Sequence, residues 1–342
     1  MPTKTRGNLI YTSTVGMSPD EWLLFRNRGI GASEVGYIMG LSPYKSNVEL
    51  FYEKIGEKIG YNIENIAMFM GTEMETFIAN LWQYWNGDES TLIENFRKGE
   101  KVRKMQNVNA YIQNKKYPHI FVSLDRRINK YDERGNGCLE IKTISGFEAD
   151  KWEGEIPPSH IVQVQTQMLV TQWKFGELAV LRDGRFFDVY PFEKHGGIQR
   201  AIVKETTDFW RRVERARIVL TQRYEANKNF NTRAIKAAEA ELMTLEPNAD
   251  GSAALQNFLK EKYKNAEPQS ERMGTDAELI LAHDHLRLKA EKKILDEKIL
   301  LKENSIKQSM REIETITFGN NGKIYWKNGE DGTRRFQNKV KF

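Results

Sequence analysis

Apolar residues near the amino terminus recur at helical spacing between residues that favour helix ends. Ser18 and Glu21 have the spacing of a capping box, which predicts a first helix that begins at the intervening proline. A second helix is expected near Ala32. Ser46 and Glu49 repeat the capping box and predict a third helix.

Three longer helices are expected further along the chain. Residues 63–85, 198–224 and 277–313 carry apolar residues three or four positions apart, which is the period of an amphipathic helix. Glu73 and Glu75 flank the apolar stripe of the first of these helices on opposite edges. Periodicity therefore does not choose between these two glutamates.

Strand patterns occupy the middle of the chain. Residues 120–128 and 138–143 are typical of two strands of a hairpin, and Asp183–Gly184 is a strong turn signal for a second hairpin. The helix expected between these hairpins carries Gln163 and Gln167, which lie four positions apart and share one face.

The composition changes after about residue 226. Residues 227–274 are polar, with weak periodicity, and predict a linker. We therefore expect a folded core over residues 1–226 and an accessory region over residues 227–342. The accessory region would hold the linker, a helical arm with near-heptad spacing and a terminal hairpin around 319–336.

The composition is typical of a globular protein that stays inside the cell. Of the 342 residues, 39% are hydrophobic, and no apolar run approaches the roughly 20 residues of a membrane span. The amino terminus lacks the apolar block of a secretory signal, and the single cysteine, Cys138, fits a reducing compartment. The formal charge of +5 is compatible with a polyanionic partner but does not establish one.

Two other kinds of site have little support. The five histidines show no zinc-ligand spacing with the cysteine. The glycine-bearing stretch at 29–36 lacks the Lys-Ser/Thr pair of a P-loop and the preceding strand of a dinucleotide site. We therefore expect no organic cofactor.

Side chains that can carry chemistry concentrate in the predicted strand CLEIKT. Strand alternation places Glu140 and Lys142 on one face and the apolar residues on the other. Asp125, on the preceding predicted strand, could approach Glu140, and two converging carboxylates suit Mg²⁺. A metal ion there could activate water while the lysine stabilises a charged phosphorus centre. The spacing alone is equally compatible with an ion pair on a solvated sheet face.

Four blocks of sequence resemble the YqaJ-type viral recombinase family, relatives of the lambda-type exonucleases in the PD-(D/E)XK nuclease superfamily. The blocks are RNRGIGASEVGYIMGLSPYKSNVELFYEKIG, MGTEMETF, FVSLDRRI followed by GCLEIKT, and IPPSHIVQVQTQMLVTQ. Their order and spacing agree with the family over roughly residues 18–190. The resemblance implies an α/β (α+β) fold, with a restriction-endonuclease-like core of a central mixed sheet flanked by helices and a carboxy-terminal helical arm.

The resemblance also implies a metal centre. Asp125, Glu140 and the carbonyl of Ile141 would bind the metal, and Lys142 would be the catalytic lysine. Glu75 matches the family glutamate that approaches this site and would be both catalytic and a metal ligand. The expected metal is Mg²⁺, with Mn²⁺ as a substitute, and two ions are expected.

Further roles follow from the same resemblance. Gln163 matches the family's active-site glutamine, whereas Gln165 and Gln167 are assigned to packing or strand contacts. Arg26 and Ser33 match positions that contact a DNA phosphate.

One departure from the family pattern lies at the predicted metal site. This chain has Leu124-Asp125-Arg126 where relatives usually have Pro-Asp-Gly. The carboxylate is retained, but the local turn is not. We interpret Arg126 as a surface strand residue rather than a phosphate contact.

The function implied by the resemblance is a metal-dependent exonuclease that degrades one strand of linear double-stranded DNA in the 5′ to 3′ direction. The single strand that remains would serve phage-type recombination by strand annealing. A structure-specific or flap endonuclease and a non-catalytic module that binds DNA or a partner are the alternatives. Expected partners are double-stranded DNA ends and a single-strand annealing protein, in the cytoplasm of the bacterial host of a phage or prophage. A homo-oligomer, including a trimeric ring, is left open, and no membrane partner is expected.

Overall fold

The computed structural model divides the chain into two units, Met1–Lys264 and Asn265–Phe342. It describes residues 2–57, 66–130, 133–145, 152, 155–265, 270–329 and 332–341.

The first unit contains most of the helices and strands. In chain order they are β1 (Thr3–Arg6), β2 (Leu9–Ser13), α1 (Pro19–Arg26), β3 (Ile30–Gly31), a 3₁₀ turn (Ala32–Glu34), α2 (Val35–Ile38), α3 (Asn47–Ile55), α4 (Ile66–Trp82), α5 (Glu89–Lys98), β4 (Met105–Gln106), β5 (Ala110–Asn114), β6 (Tyr117–Val122), β7 (Arg126–Ile128), β8 (Gly137–Ile144), α6 (Pro158–Thr171), β9 (Phe175–Arg182), β10 (Phe186–Glu193), α7 (Gly196–Lys228), α8 (Thr232–Leu245) and α9 (Ala253–Lys262). The second unit contains α10 (Asp276–Met310), β11 (Thr315–Thr317), β12 (Gly322–Asn328) and β13 (Arg334–Val340).

Two five-stranded sheets form the framework of the first unit. Their strand orders are β1-β2-β5-β6-β3 and β10-β9-β8-β7-β4. In the second sheet β8 and β9 are parallel, and the remaining neighbours are antiparallel, so the sheet is mixed. The chain passes through α6 between β8 and β9, which gives a β-α-β crossover. The predicted α/β class, with a mixed sheet flanked by helices, is confirmed.

The two faces of β8 pack into different apolar clusters. Leu139 and Ile141 belong to the same apolar cluster as Ile78 and Trp82 of α4. Cys138, on the opposite face, belongs to the cluster that contains residues of α6. Because strand side chains alternate, Glu140 and Lys142 lie on the same face as Cys138, which is the face that packs against α6. α4 and α6 therefore enclose the strand from opposite sides.

The predicted helix ends are largely confirmed. Ser18 caps α1, with the reciprocal capping-box bond from its own N–H to Glu21. Ser46 caps α3, which ends at a left-handed Gly56. The helix expected near Ala32 is only the 3₁₀ turn followed by the four-residue α2. Residues 58–65, where the helix containing α4 was predicted to begin, lie outside the described residues.

The predicted hairpin of residues 120–128 and 138–143 is only partly correct. Its first strand is two strands: β6 belongs to the first sheet, and β7 pairs antiparallel with β8 in the second. Leu124, in the break between them, is buried. The apolar pattern therefore continues through the point where the chain changes sheets, and alternation could not show the change.

The predicted linker at 227–274 is wrong over much of its length, because α8 and α9 occupy residues 232–245 and 253–262. Leu255 and Phe258 of α9 pack with Val48 of α3 in a small apolar cluster. The first unit consequently extends beyond the predicted boundary near residue 226. The predicted helical arm and terminal hairpin are present as α10 and the β12–β13 pair. In the described part of the chain, no helix has the length and apolar character needed to cross a membrane.

Candidate active site

Glu140 lies at the centre of the site, on the α6 face of β8. Only 2% of this residue is exposed. Such burial excludes the alternative interpretation of an ion pair on a solvated sheet face. A buried carboxylate needs several donors to offset the loss of water, and the surrounding residues supply them.

Three side chains donate to the two oxygens of Glu140. Lys142 Nζ and Gln163 Nε2 reach Oε1 at 2.5 and 2.6 Å. Gln167 Nε2, one helical turn further along α6, reaches Oε2 at 2.5 Å. Both oxygens are therefore held by charge-assisted hydrogen bonds, and the orientation of the carboxylate is fixed.

Asp125 lies immediately before β7 and beside Glu140. The β7–β8 register pairs Arg126 with Leu139, so the next step along the ladder brings Asp125 towards Glu140. The amide of Ile141 donates to Asp125 Oδ2 at 2.7 Å. Burial, together with the negative charge of Glu140, raises the pKa of Asp125 well above its ordinary value. The predicted approach of the two carboxylates is therefore present in the structure.

Lys142 is the cation of this group. Burial alone would lower the pKa of its ammonium, but Glu140 and Asp125 outweigh burial and raise the pKa above its ordinary value. Lys142 is therefore protonated at neutral pH and acts as a hydrogen-bond donor and positive charge, not as a base. Its side chain is 28% exposed, so it remains open to a substrate.

Glu75 reaches the edge of the site from α4. Glu75 is half-buried whereas Glu73 is exposed, a distinction that periodicity could not make. Arg126 Nη1 donates to Glu75 Oε1, and the two groups form a salt bridge. Arg126 itself is 8% exposed, so its interpretation as a surface strand residue is wrong.

The two residues expected to contact phosphate lie outside this carboxylate group. Arg26 Nη2 donates to Glu34 Oε1 at 2.8 Å, and the guanidinium lies over the Trp22 ring. Ser33 is exposed in the 3₁₀ turn.

Two site residues were assigned differently from the sequence. Gln167 was assigned to packing, yet it is fully buried and donates to Glu140. Its spacing of four from Gln163 was the available signal, because residues four apart on a helix share a face. Gln165, which donates to the Glu193 carbonyl, has the predicted structural role.

The donors at the site fit a hard divalent cation. Asp125 and Glu140 lie side by side and supply carboxylate oxygens, which are the kind of ligand that Mg²⁺ prefers. Glu75 does not belong to this ligand set, because its carboxylate is paired with Arg126. Among the residues that the structure describes, no group of three or more His, Cys, Asp and Glu side chains is placed to hold a metal ion.

Comparison with known proteins finds a sequence similarity over this region. Residues 21–174 match the sequence model of the YqaJ-like viral recombinase domain. Over these residues the chain is similar to the YqaJ-like viral recombinase domain. The resemblance seen in the sequence is thereby confirmed, and every predicted site residue lies within the matched residues. A relative, the uncharacterized protein YqaJ of Bacillus subtilis (strain 168), is 28% identical over 307 residues, covering 89% of this chain and 82% of the relative.

Solved structures of exonucleases are also similar to this chain. An alkaline exonuclease from Laribacter hongkongensis is 20% identical, covering 61% of this chain and 98% of that chain, with a TM-score of 0.46. A phage-related exonuclease from Haemophilus somnus 129PT is 10% identical, covering 54% and 92% of the two chains, with a TM-score of 0.35.

Proposed function

We propose that this protein is a Mg²⁺-dependent exonuclease that degrades one strand of linear double-stranded DNA in the 5′ to 3′ direction. The observation that carries the proposal is the buried Glu140, held by Lys142, Gln163 and Gln167 beside Asp125 within the residues similar to the YqaJ-like domain. The single-stranded product would serve phage-type recombination with an annealing protein in the bacterial cytoplasm.

Asp125, Glu140 and the Ile141 carbonyl are the residues that would hold Mg²⁺. When bound, the ion supplies Lewis-acid stabilisation of the phosphoryl oxygens and a water of lowered pKa. The role of the chain is to hold the ligands in place before the substrate arrives. Gln163 and Gln167 perform this role for Glu140, because each fixes one of its two oxygens.

Lys142 would contact the phosphate under attack. Its ammonium is protonated and partly exposed, so it can donate to an anionic phosphorus centre without first losing a proton. A cavity of about 490 Å³ opens beside it, lined in part by Tyr44, Trp152 and His160. This volume gives a nucleotide room to approach the lysine.

Arg26 and Ser33 are proposed to contact a DNA phosphate near the strand end. The Arg26 side chain keeps 26% of its surface exposed while one nitrogen is fixed by Glu34. Such a partly anchored guanidinium can meet a phosphate with little loss of side-chain freedom.

The test uses a linear duplex labelled at either its 5′ or its 3′ end, together with a covalently closed circle. We expect Mg²⁺ or Mn²⁺ to support loss of the 5′-labelled strand of the linear substrate and to leave the circle intact. Lys142→Ala should abolish the reaction. Lys204→Ala, at an exposed position of α7, is the matched control and should retain it.

Other results would redirect the assignment. Cutting of the closed circle would indicate an endonuclease on the same fold. Binding of DNA without hydrolysis, with either metal and either end, would indicate a non-catalytic module and contradict the proposal.

A further inference from the structure

Arg126 is buried between Glu75 of α4 and the main chain of Asp125. It is the first residue of β7 and directly follows Asp125. Nη1 donates to Glu75 Oε1 and, at 2.5 Å, to the main-chain oxygen of Asp125. Nη2 lies 3.5 Å from Thr76 Oγ1. The guanidinium therefore links the main chain at Asp125 to α4.

The strand register explains why Arg126 meets Glu75. Arg126 pairs with Leu139, whose side chain faces α4, whereas Asp125 and Glu140 are directed to the α6 side. Glu75 lies on α4 and forms a salt bridge with the guanidinium of Arg126. One of its two carboxylate oxygens, Oε1, is bound to Arg126.

The charge of Arg126 is permanent, because a guanidinium does not lose its proton in proteins. A buried guanidinium without a partner is costly, so removing the Glu75 carboxylate from it would need a strong compensation. Glu75 is therefore committed to Arg126. A metal ion would have to displace a cation that the fold already holds in place.

The balance of charge points the same way. Glu75, Asp125 and Glu140, when ionised, carry three negative charges, and Arg126 and Lys142 carry two positive charges. One net negative charge remains. A single divalent ion together with one phosphodiester charge brings the site to neutrality, whereas a second divalent ion would leave it strongly positive.

We infer that Arg126 takes the place of a second divalent cation, so that the site binds one metal ion, on Asp125 and Glu140, and Glu75 is not a ligand. This inference rests on the proposed function, because it concerns the metal of the same nuclease site. It departs from the two ions expected from the family resemblance.

The experiment counts Mn²⁺ bound to the full-length protein by isothermal titration calorimetry and by electron paramagnetic resonance of free Mn²⁺. Binding to the Asp125→Asn/Glu140→Gln double variant is subtracted, so that only ions at the site are counted. We expect one ion for the wild type. Arg126→Met, which keeps side-chain length but removes charge, should bind two ions, and Arg126→Lys should bind one.

Glu75→Gln provides a second measurement that does not require removal of the arginine. We expect one Mn²⁺ per chain with nearly unchanged affinity, matching Glu73→Gln, the exposed neighbour on the same helix. A metal ligand would behave differently, since loss of a group that shapes a metal site typically weakens binding by about 10–100-fold.

Two site ions in the wild type, or a tenfold weaker site in Glu75→Gln but not in Glu73→Gln, would overturn the inference and leave the proposed nuclease intact. A folded Arg126→Met variant that still binds one ion would overturn it too, because the guanidinium would then be a structural brace alone. If the wild type binds no more Mn²⁺ than the Asp125→Asn/Glu140→Gln double variant and does not hydrolyse DNA, the proposed function itself is wrong.

Discussion

Replacing Gln167 by methionine removes the amide that donates to Glu140 Oε2 and preserves much of the side-chain volume. The donor lies 2.5 Å from the carboxylate oxygen and is fully buried, so water cannot readily take its place. A hydrogen bond to a charged group contributes about 1.5–3 kcal/mol. If this energy serves to orient Glu140 in the transition state, its loss lowers kcat by about ten- to a hundredfold, since about 1.4 kcal/mol corresponds to tenfold in rate.

Gln165 is a matched control on the same helix, with the same side chain and similar burial. Gln165 donates to the Glu193 carbonyl at 2.7 Å and accepts from the amide of His195 at 3.0 Å. Gln165→Met should therefore lower the free energy of unfolding and leave the turnover of folded protein nearly unchanged. Gln167→Met should lower the turnover and leave the free energy of unfolding nearly unchanged. Removing its amide also removes an acceptor, Oε1, that has no hydrogen-bond partner among the described residues.

The assay measures initial rates on a linear duplex over a range of Mg²⁺ concentrations, beside urea unfolding of each variant. The two effects should separate between the two glutamines. Equal kcat for Gln167→Met and the wild type at saturating Mg²⁺ would refute the argument that this hydrogen bond orients Glu140. Equal losses of stability and rate in both variants would refute the division of roles.

Three further predictions concern stability. Burial raises the pKa of Glu34, but Lys54, Arg26 and the Gly31 amide together lower it more, and the pKa falls to about 2 from its ordinary value of 4.5. The resulting stability, about 3 kcal/mol at about 1.4 kcal/mol per pH unit, is present above pH 4.5 and is lost as the pH falls towards 2. In urea unfolding, Glu34→Gln should lack this acid-sensitive component, and an unchanged pH profile would contradict the assignment. Gly137→Ala would place a Cβ 2.6 Å from the Phe175 ring, so thermal unfolding should reveal a loss of about 1–3 kcal/mol; an unchanged midpoint would show that the ring can move. Ser18→Ala removes the α1 cap and should cost about 1 kcal/mol in urea unfolding, unless the first turn of α1 contributes nothing to the cooperative transition.

Local features of the fold were predictable because their causes are local. A serine at the helix start is bonded within three residues of itself, so Ser18 and Ser46 identified the starts of α1 and α3. The Asp183–Gly184 turn follows the same logic, since both residues adopt the left-handed backbone conformation that a two-residue hairpin turn requires. Alternation along β8 also placed Glu140 and Lys142 together.

Features that depend on distant partners were not predictable in this way. The change of sheet between β6 and β7 lies in a continuous apolar pattern, because the break residue Leu124 is itself buried. The role of Arg126 depends on Glu75, which approaches from another element, 51 positions away. A single sequence shows which side chains share a face but not which element covers that face.

The buried glutamates of the described chain differ in how far neighbouring cations neutralise them. Glu34 pairs with two cations, Arg26 and Lys54, so positive charge is in excess there. Glu177 pairs with Arg103 and accepts from the Trp82 indole, which leaves it balanced.

Glu140 differs because a second carboxylate, Asp125, lies beside it, and Lys142 is the cation that bonds to it directly. Its other donors, Gln163 and Gln167, are neutral amides that fix the geometry without cancelling the charge. The fold thus compensates the negative charge of Glu34 and Glu177 but leaves a deficit of positive charge around Glu140. A buried carboxylate that is fully hydrogen-bonded and still under-neutralised is arranged to receive a cation, which is the physical distinction between this site and a structural ion pair.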